Sequence, residues 1–93
     1  IEGRLDLHGM RQVEAHDALI GFVAAAQRAG KKTLLVITGK GSFSNGDSVL
    51  RQNVPVWLNE APLRGKILAI TPAHPRDGGS GALYIVLKRR REG

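Results

Sequence analysis

Apolar residues fall along the chain in two rhythms. Leu5 and Leu7 alternate with Asp6 and His8, and a period of two predicts a strand over Leu5–His8 with one buried and one polar face. Gly9 ends it. From Gln12 to Ala29 the rhythm changes. Ala15, Ala18, Leu19, Phe22, Val23, Ala26 and Ala29 recur at steps of three and four, which predicts an amphipathic helix. Glu14 and Asp17 stand early and Arg28 late, off the apolar stripe, as the helix dipole favours, and Gly30 supplies a stop. Leu34-Leu35-Val36-Ile37 is too short for a helix and predicts a strand buried on both faces. It ends at Thr38-Gly39-Lys40-Gly41.

After the polar loop Ser42–Asp47, the residues Val49, Leu50, Val54, Trp57 and Leu58 predict a second helix. Pro55 falls inside it. An internal proline costs about 3 kcal/mol, so the expectation is a single turn over Ser48–Gln52 and a main piece capped by Asn53, ended by Pro62 and Gly65. Lys66–Thr71 and Ala82–Lys88 predict two further strands, separated by Pro72–Gly81 with two prolines and three glycines.

The order β-α-β-α-β-β contains no repeat. Right-handed crossovers through the two helices make the first three strands parallel, and the short connection before the last makes it antiparallel. The expected fold is α/β: a two-layer sandwich of a four-stranded mixed sheet with two helices on one face and the other face open. Ninety-three residues suffice for one modest core and no more. Residues 1–4, Ile-Glu-Gly-Arg, match a protease-recognition tetrapeptide and are assigned no function; 5–89 form the domain and 90–93 a basic tail. The chain has no cysteine, so neither disulfides nor thiolate metal sites enter. Its longest apolar runs, Leu34–Ile37 and Ala82–Leu87, fall far short of the ~20 residues that cross a bilayer, and the expected setting is soluble and cytoplasmic.

Charge narrows the partner. Fourteen Lys and Arg against eight Asp and Glu give a net +6, which favours a polyanion, with nucleic acid first. Lys88-Arg89-Arg90-Arg91 taken alone reads equally well as a solvated tail. In a mostly parallel sheet, the loops leaving the carboxyl ends of the strands share one edge, where ligands bind. That rule brings His8, Lys40, His74 and Arg76 toward a single rim. An Asp beside an imidazole favours its protonated form and orients it, a common arrangement for a general acid or base. On spacing alone, Asp6 and His8 are either such a couple or a strand end satisfied by local hydrogen bonds. Thr38–Gly41 has the glycines of a phosphate cradle without the full Walker or dinucleotide spacing. His74 is open between loop shaping, a phosphate contact and proton donation. His16 reads as solvated, Phe22 and Trp57 as core, and Gly78-Gly79-Ser80-Gly81 as a turn.

Taken together, Leu5-Asp6-Leu7-His8-Gly9, Glu14-Ala15, Thr38-Gly39-Lys40-Gly41, Val49-Leu50-Arg51, Trp57-Leu58 and Gly78-Gly79-Ser80-Gly81-Ala82 resemble the Smr (small MutS-related) domain from Leu5 to Arg89. The resemblance implies a fold similar to the C-terminal domain of a bacterial translation initiation factor, and endonuclease activity on DNA or RNA. Members are associated with nicking of DNA and with cleavage of messenger RNA at stalled or collided ribosomes. The family's Leu-Asp-Leu-His motif falls on Leu5–His8, which gives Asp6 and His8 the catalytic role. Its second motif falls on Thr38–Gly41, here in the threonine rather than the histidine form. The expected site is thus Asp6 and His8 for catalysis, with Thr38, Gly39, Lys40, Gly41, His74, Arg76, Gly78 and Gly79 on nucleic-acid phosphate. No resident metal is expected; a DNA substrate would call for Mg²⁺ or Mn²⁺ to activate water, whereas RNA supplies its own 2′-hydroxyl. The alternative from another class is a binding module that positions a larger protein on nucleic acid or the ribosome without cutting. A small-molecule phosphate enzyme is the weaker third reading.

Overall fold

In the computed structural model, residues 1–39 and 45–89 are described, the side chains of 45–48 excepted; Lys40, Gly41 and the Arg90-Arg91 end of the basic run lie outside them. Strand β1 (Gly3–Asp6) is followed by helix α1 (Gln12–Arg28), strand β2 (Thr33–Ile37), helix α2 (Asn45–Leu58), strand β3 (Ile67–Pro72) and strand β4 (Ala82–Leu87). The sheet order is β1-β2-β4-β3. β1 runs parallel to β2, and β4 pairs antiparallel with both β2 and β3, so β3 points the same way as β1 and β2. The α/β sandwich and its mixed sheet are those that the order of elements predicts. The last strand, however, lies inside the sheet and leaves β1 and β3 as its edges.

The alternation of the strands sorts residues between two faces. Leu34, Val36, Ile85 and Leu87 pack with Ala15, Leu19, Val23 and Ala26 of α1 and with Leu50, Val54 and Leu58 of α2 in one core. Both helices therefore cover the same face. Leu35 and Ala82, with Ala73 of the β3–β4 connection, form a second, smaller cluster edged by Ile37 and Tyr84. Pro72 closes β3 on the sheet edge, where its missing N–H costs no ladder bond. In β3 the register slips between Ile67 and Ala69, and the extra residue, Leu68, is turned out to solvent.

Four details depart from the sequence reading. First, β1 starts at Gly3, so half of the unassigned tetrapeptide is strand: Gly3 pairs with Leu34 and Arg4 with Leu35, and Glu2 N–H donates to the Thr33 carbonyl at 2.8 Å. Second, β1 stops at Asp6, and Leu7 to Met10 form a turn closed by Met10 N–H on the Leu7 carbonyl at 3.0 Å. Gly9 takes φ +80°, the third position of a type II turn, which a side chain resists. Third, α2 runs unbroken through Pro55, and Asn53 sits within it, its amide donating to Gln12 Oε1 of α1 at 3.1 Å. Leu50, Val54 and Leu58, one helical turn apart, are each at most 1% exposed. Burying three such side chains gains roughly 1.5–3 kcal/mol each, more than the ~3 kcal/mol a proline costs. Fourth, His16 is half-buried, its ring edge-on to Trp57 with centroids 4.9 Å apart.

The first helix ends as expected. Lys31 N–H donates to the Ala26 carbonyl and Gly30 N–H to Gln27, the paired bonds of a Schellman motif.

Leu35→Ala, at a fully buried position of the central pair of strands, is expected to cost about 2–5 kcal/mol in urea unfolding. His16→Ala is expected to cost about 0.5–1.5 kcal/mol through the lost edge contact with Trp57. Equal small losses at both positions would contradict the packing described.

Candidate active site

The carboxyl ends of β1, β2 and β3 lie at one end of the sheet, as parallel direction requires. β1 remains tied to β2 past its last residue, because Leu7 N–H donates to the Ile37 carbonyl at 2.7 Å. His8 follows at once, exposed at the tip of the turn. The Asp6 carboxylate accepts the backbone N–H of His8 at 2.9 Å, the local bond by which Asp commonly shapes a turn. Of the two readings that the spacing left open, this bond is the local one, made at the end of the strand. Once the strand ends at Asp6, the alternation that would have set the two side chains side by side no longer applies. The carboxylate fixes the main chain that carries the ring instead.

Thr38 and Gly39 do not offer a phosphate cradle. Thr38 is 1% exposed, and the Gly81 carbonyl accepts its backbone N–H at 2.8 Å and that of Gly39 at 3.1 Å. The Thr38 hydroxyl lies 3.2 Å from that carbonyl and 3.3 Å from the Gly39 carbonyl. The donors expected to meet an anion are spent on joining β2 to the start of β4. Lys40 and Gly41, the rest of this motif, lie outside the described residues.

The β3–β4 connection is a pair of tight 3-10 turns, Pro75–Asp77 and Gly79–Gly81. Gly78 N–H donates to Pro75 and Gly79 N–H to His74, so these amides also are engaged internally. Gly78 is there for its backbone: its φ is +119°, and a Cβ would come 2.8 Å from the Ala82 Cβ. His74 Nδ1 accepts the Arg76 N–H at 3.2 Å. That leaves Nε2 to carry the ring proton. Tyr84 holds the turn from below, its hydroxyl accepting His74 N–H at 3.1 Å and donating to the Asp77 carboxylate. The Arg76 guanidinium is 4.0 Å from Asp77 and its side chain is 80% exposed.

Tyr84 was missed in the sequence, where it reads only as a β-former. The signal was present: Leu83 and Ile85 flank it, so it had to face away from the helices, with its hydroxyl free to reach the connection. His74 and Arg76 are brought together by this turn. His8 is not brought to them, for β1 and β3 are opposite edges of the sheet. With strands about 4.8 Å apart, their ends stand roughly 14 Å from one another.

Of the carboxylates that the sequence sets near the rim, Asp6 holds His8 N–H and Asp77 holds Tyr84, while the side chain of Asp47 lies outside the described residues. Among the described residues, no three His, Asp or Glu side chains come together as a metal site would need. The two described carboxylates of the rim, Asp6 and Asp77, are each engaged within a turn.

The sequence pattern of the Smr domain family matches residues 5–88, nearly the full chain. The chain belongs to the Smr domain family. Its backbone is similar to the crystal structure of the Smr domain of Thermus thermophilus MutS2, with a TM-score of 0.78 at 26% identity over 92% of this chain and 98% of that one. It is also similar to YdaL, a stand-alone small MutS-related protein from Escherichia coli, with a TM-score of 0.73 at 34% identity over 94% and 64%. Among curated relatives, it is 39% identical over 90 residues to an uncharacterized protein of Treponema pallidum, and 34% identical over 83 residues to the ribosome rescue factor SmrB of Shewanella putrefaciens. These alignments cover 95% and 89% of this Smr domain but only 42% and 43% of the relatives. The chain thus spans less than half the length of the curated proteins it matches. Among its described residues, no helix is long and apolar enough to cross a membrane.

Gly78→Ala is expected to cost about 2–4 kcal/mol, strain in the backbone adding to the clash with Ala82. Gly79→Ala, which meets nothing within 4 Å, should cost about 1–2 kcal/mol for its left-handed backbone. Thermal unfolding of the two variants checks the order.

Proposed function

We propose that this Smr domain is an endonuclease acting on RNA, with His8 as the group that moves a proton. The observation that carries the reading is the exposed His8 ring at the carboxyl edge of the sheet, on a turn fixed by Asp6 through the bond to the His8 amide. A ring presented to solvent from a rigid turn can meet the 2′-hydroxyl of a bound ribose. His8 takes the 2′-hydroxyl proton, the 2′-oxygen forms a bond to the adjacent phosphorus, and the bond from phosphorus to the 5′-oxygen breaks. The products are a 2′,3′-cyclic phosphate and a 5′-hydroxyl, the latter taking its proton from water. No metal is needed for this sequence, whereas DNA would require an activated water. Asp6 is a positioning residue in this scheme.

The phosphate contacts differ in part from those read in the sequence. Thr38, Gly39, Gly78 and Gly79 shape the rim through the internal bonds described. Lys40 and the exposed Arg76 are proposed to meet phosphate by charge, and Gly41 by its amide. His74 is proposed to donate from Nε2. Its Nδ1 is occupied by the Arg76 amide, and a neutral ring giving up its remaining proton would become an imidazolate; it therefore binds rather than transfers. Ribosome-bound messenger RNA is the proposed setting, supported by relatives named ribosome rescue factors, and the proposed location is the cytoplasm.

His8→Ala is expected to lower the cleavage rate by roughly 10²–10⁴-fold, the usual worth of a general base, while RNA affinity holds. Asp6→Ala should lower the rate as well, and Asp6→Asn, which retains an oxygen for the His8 amide, should restore most of it. Measuring affinity and cleavage separately on matched RNA and DNA, with and without chelator, decides the matter. Full cleavage by folded His8→Ala protein ends the proton-transfer assignment. Binding without cleavage by the unaltered domain would make it a positioning module.

A further inference from the structure

At the rim, Arg76 stands 4.0 Å from the carboxylate of Asp77. Part of the net +6 of the chain is carried elsewhere. At the opposite end of the sheet, Lys31 and Lys32 precede β2, Lys66 precedes β3, and Lys88 and Arg89 follow β4. The strand order gathers them. Leu87 N–H donates to the Lys32 carbonyl at 2.7 Å and Lys88 N–H to the Lys66 carbonyl at 2.8 Å, while Gln27 at the end of α1 reaches the Lys88 carbonyl at 3.3 Å. Two adjoining hollows share Gln27, Lys88 and Arg89 as walls, one extending to Lys31 and Lys32 and the other to Lys66.

Four of these five cations are exposed and Lys66 is half-buried, and none is in an ion pair with a described carboxylate. Two acids lie close by among the described residues: Glu2, which accepts the backbone N–H of Lys32 at 2.5 Å, and Glu60, which lines a hollow with Lys88. The sequence continues from Arg89 with two more arginines.

We infer that this basic pole is a second nucleic-acid surface, one that grips the phosphate backbone at the end of the sheet away from the rim. From Lys32 to Thr38 the strand covers about 20 Å at ~3.3 Å per residue, a span of roughly six phosphates along one strand of a duplex. The pole does not overlap the rim, so an RNA long enough reaches both and a dinucleotide reaches one. A phosphate polymer is favoured over an acidic protein surface because the five cations sit on three separate chain segments spread around the end of the sheet, as the repeated charges of a backbone are. The inference rests on the nucleic-acid part of the proposed function and not on the cleavage chemistry.

The test is a triple variant, Lys31→Gln, Lys32→Gln and Lys88→Gln, whose described backbone bonds do not depend on the side chains replaced. Binding of a 20-nucleotide single-stranded RNA (about 68 Å at ~3.4 Å per phosphate) should become less salt-dependent by about two units of logarithmic slope, at ~0.7 for each lost phosphate contact. Affinity near 0.1 M salt should fall roughly tenfold to a hundredfold, with the cleavage rate at saturating RNA unchanged and dinucleotide binding unaltered. An unchanged slope and affinity in the folded variant overturn the inference. So does a loss of binding to polyglutamate without a loss to RNA, which would make the pole a protein-binding surface. Because the readout is affinity, an unaltered domain that binds RNA and fails to cut it sinks the endonuclease reading and leaves the pole standing. A domain that binds no RNA at any salt sinks both.

Discussion

The antiparallel pairing of β2 with β4 is the contact on which the rest of the molecule depends. It places the last strand in the middle of the sheet, so Leu34, Val36 and Ile85 are covered by both helices and the core closes only when the final element of the chain has docked. The pairing extends past both strands into the join at the Gly81 carbonyl, which takes the N–H groups of Thr38 and Gly39. Buried backbone groups must find partners. By meeting that demand at the rim, the fold spends the amides that a glycine-rich loop would otherwise turn toward an anion.

That expenditure leaves the proposed recognition at the rim to side chains. A phosphate cradle of backbone N–H groups depends on their being free, and here Gly39, Gly78 and Gly79 are bonded within the protein. Side chains remain: His8 on its turn, His74 and Arg76 on theirs. Each sits on a tight turn held by a local bond, Asp6 to the His8 amide and His74 Nδ1 to the Arg76 amide. Tyr84 adds a support that local sequence cannot supply, since it reaches the β3–β4 connection from within the sheet. The result is rigid placement of exposed polar groups along one edge, with two of the three chain histidines at opposite ends of it.

The same topology gathers charge at one end of the sheet. Lysines flanking β2, β3 and β4 collect at the end of the sheet away from the rim, because β4 runs against its two neighbours and so brings its carboxyl end to their amino ends. Acidic groups at the rim hold turns together.

Much of this was determined by the sequence itself. The period of two at Leu5–Leu7, the three-and-four spacing of α1 and the apolar run of β2 each report burial directly, since one face of an element must be hidden for it to be stable. The mixed sheet followed from connection lengths, and the Smr motifs marked the edge at which Asp6 and His8 stand. What the tertiary structure decided were matters of pairing between distant segments. Pro55 stays within a helix because Leu50, Val54 and Leu58 are buried against other elements. Asp6 bonds to main chain because the strand ends there. Thr38 turns inward because Gly81 arrives beside it, and His8 and His74 lie apart because β4 inserts between their strands. Periodicity measures how much of a residue is hidden; it carries no information about which segment hides it.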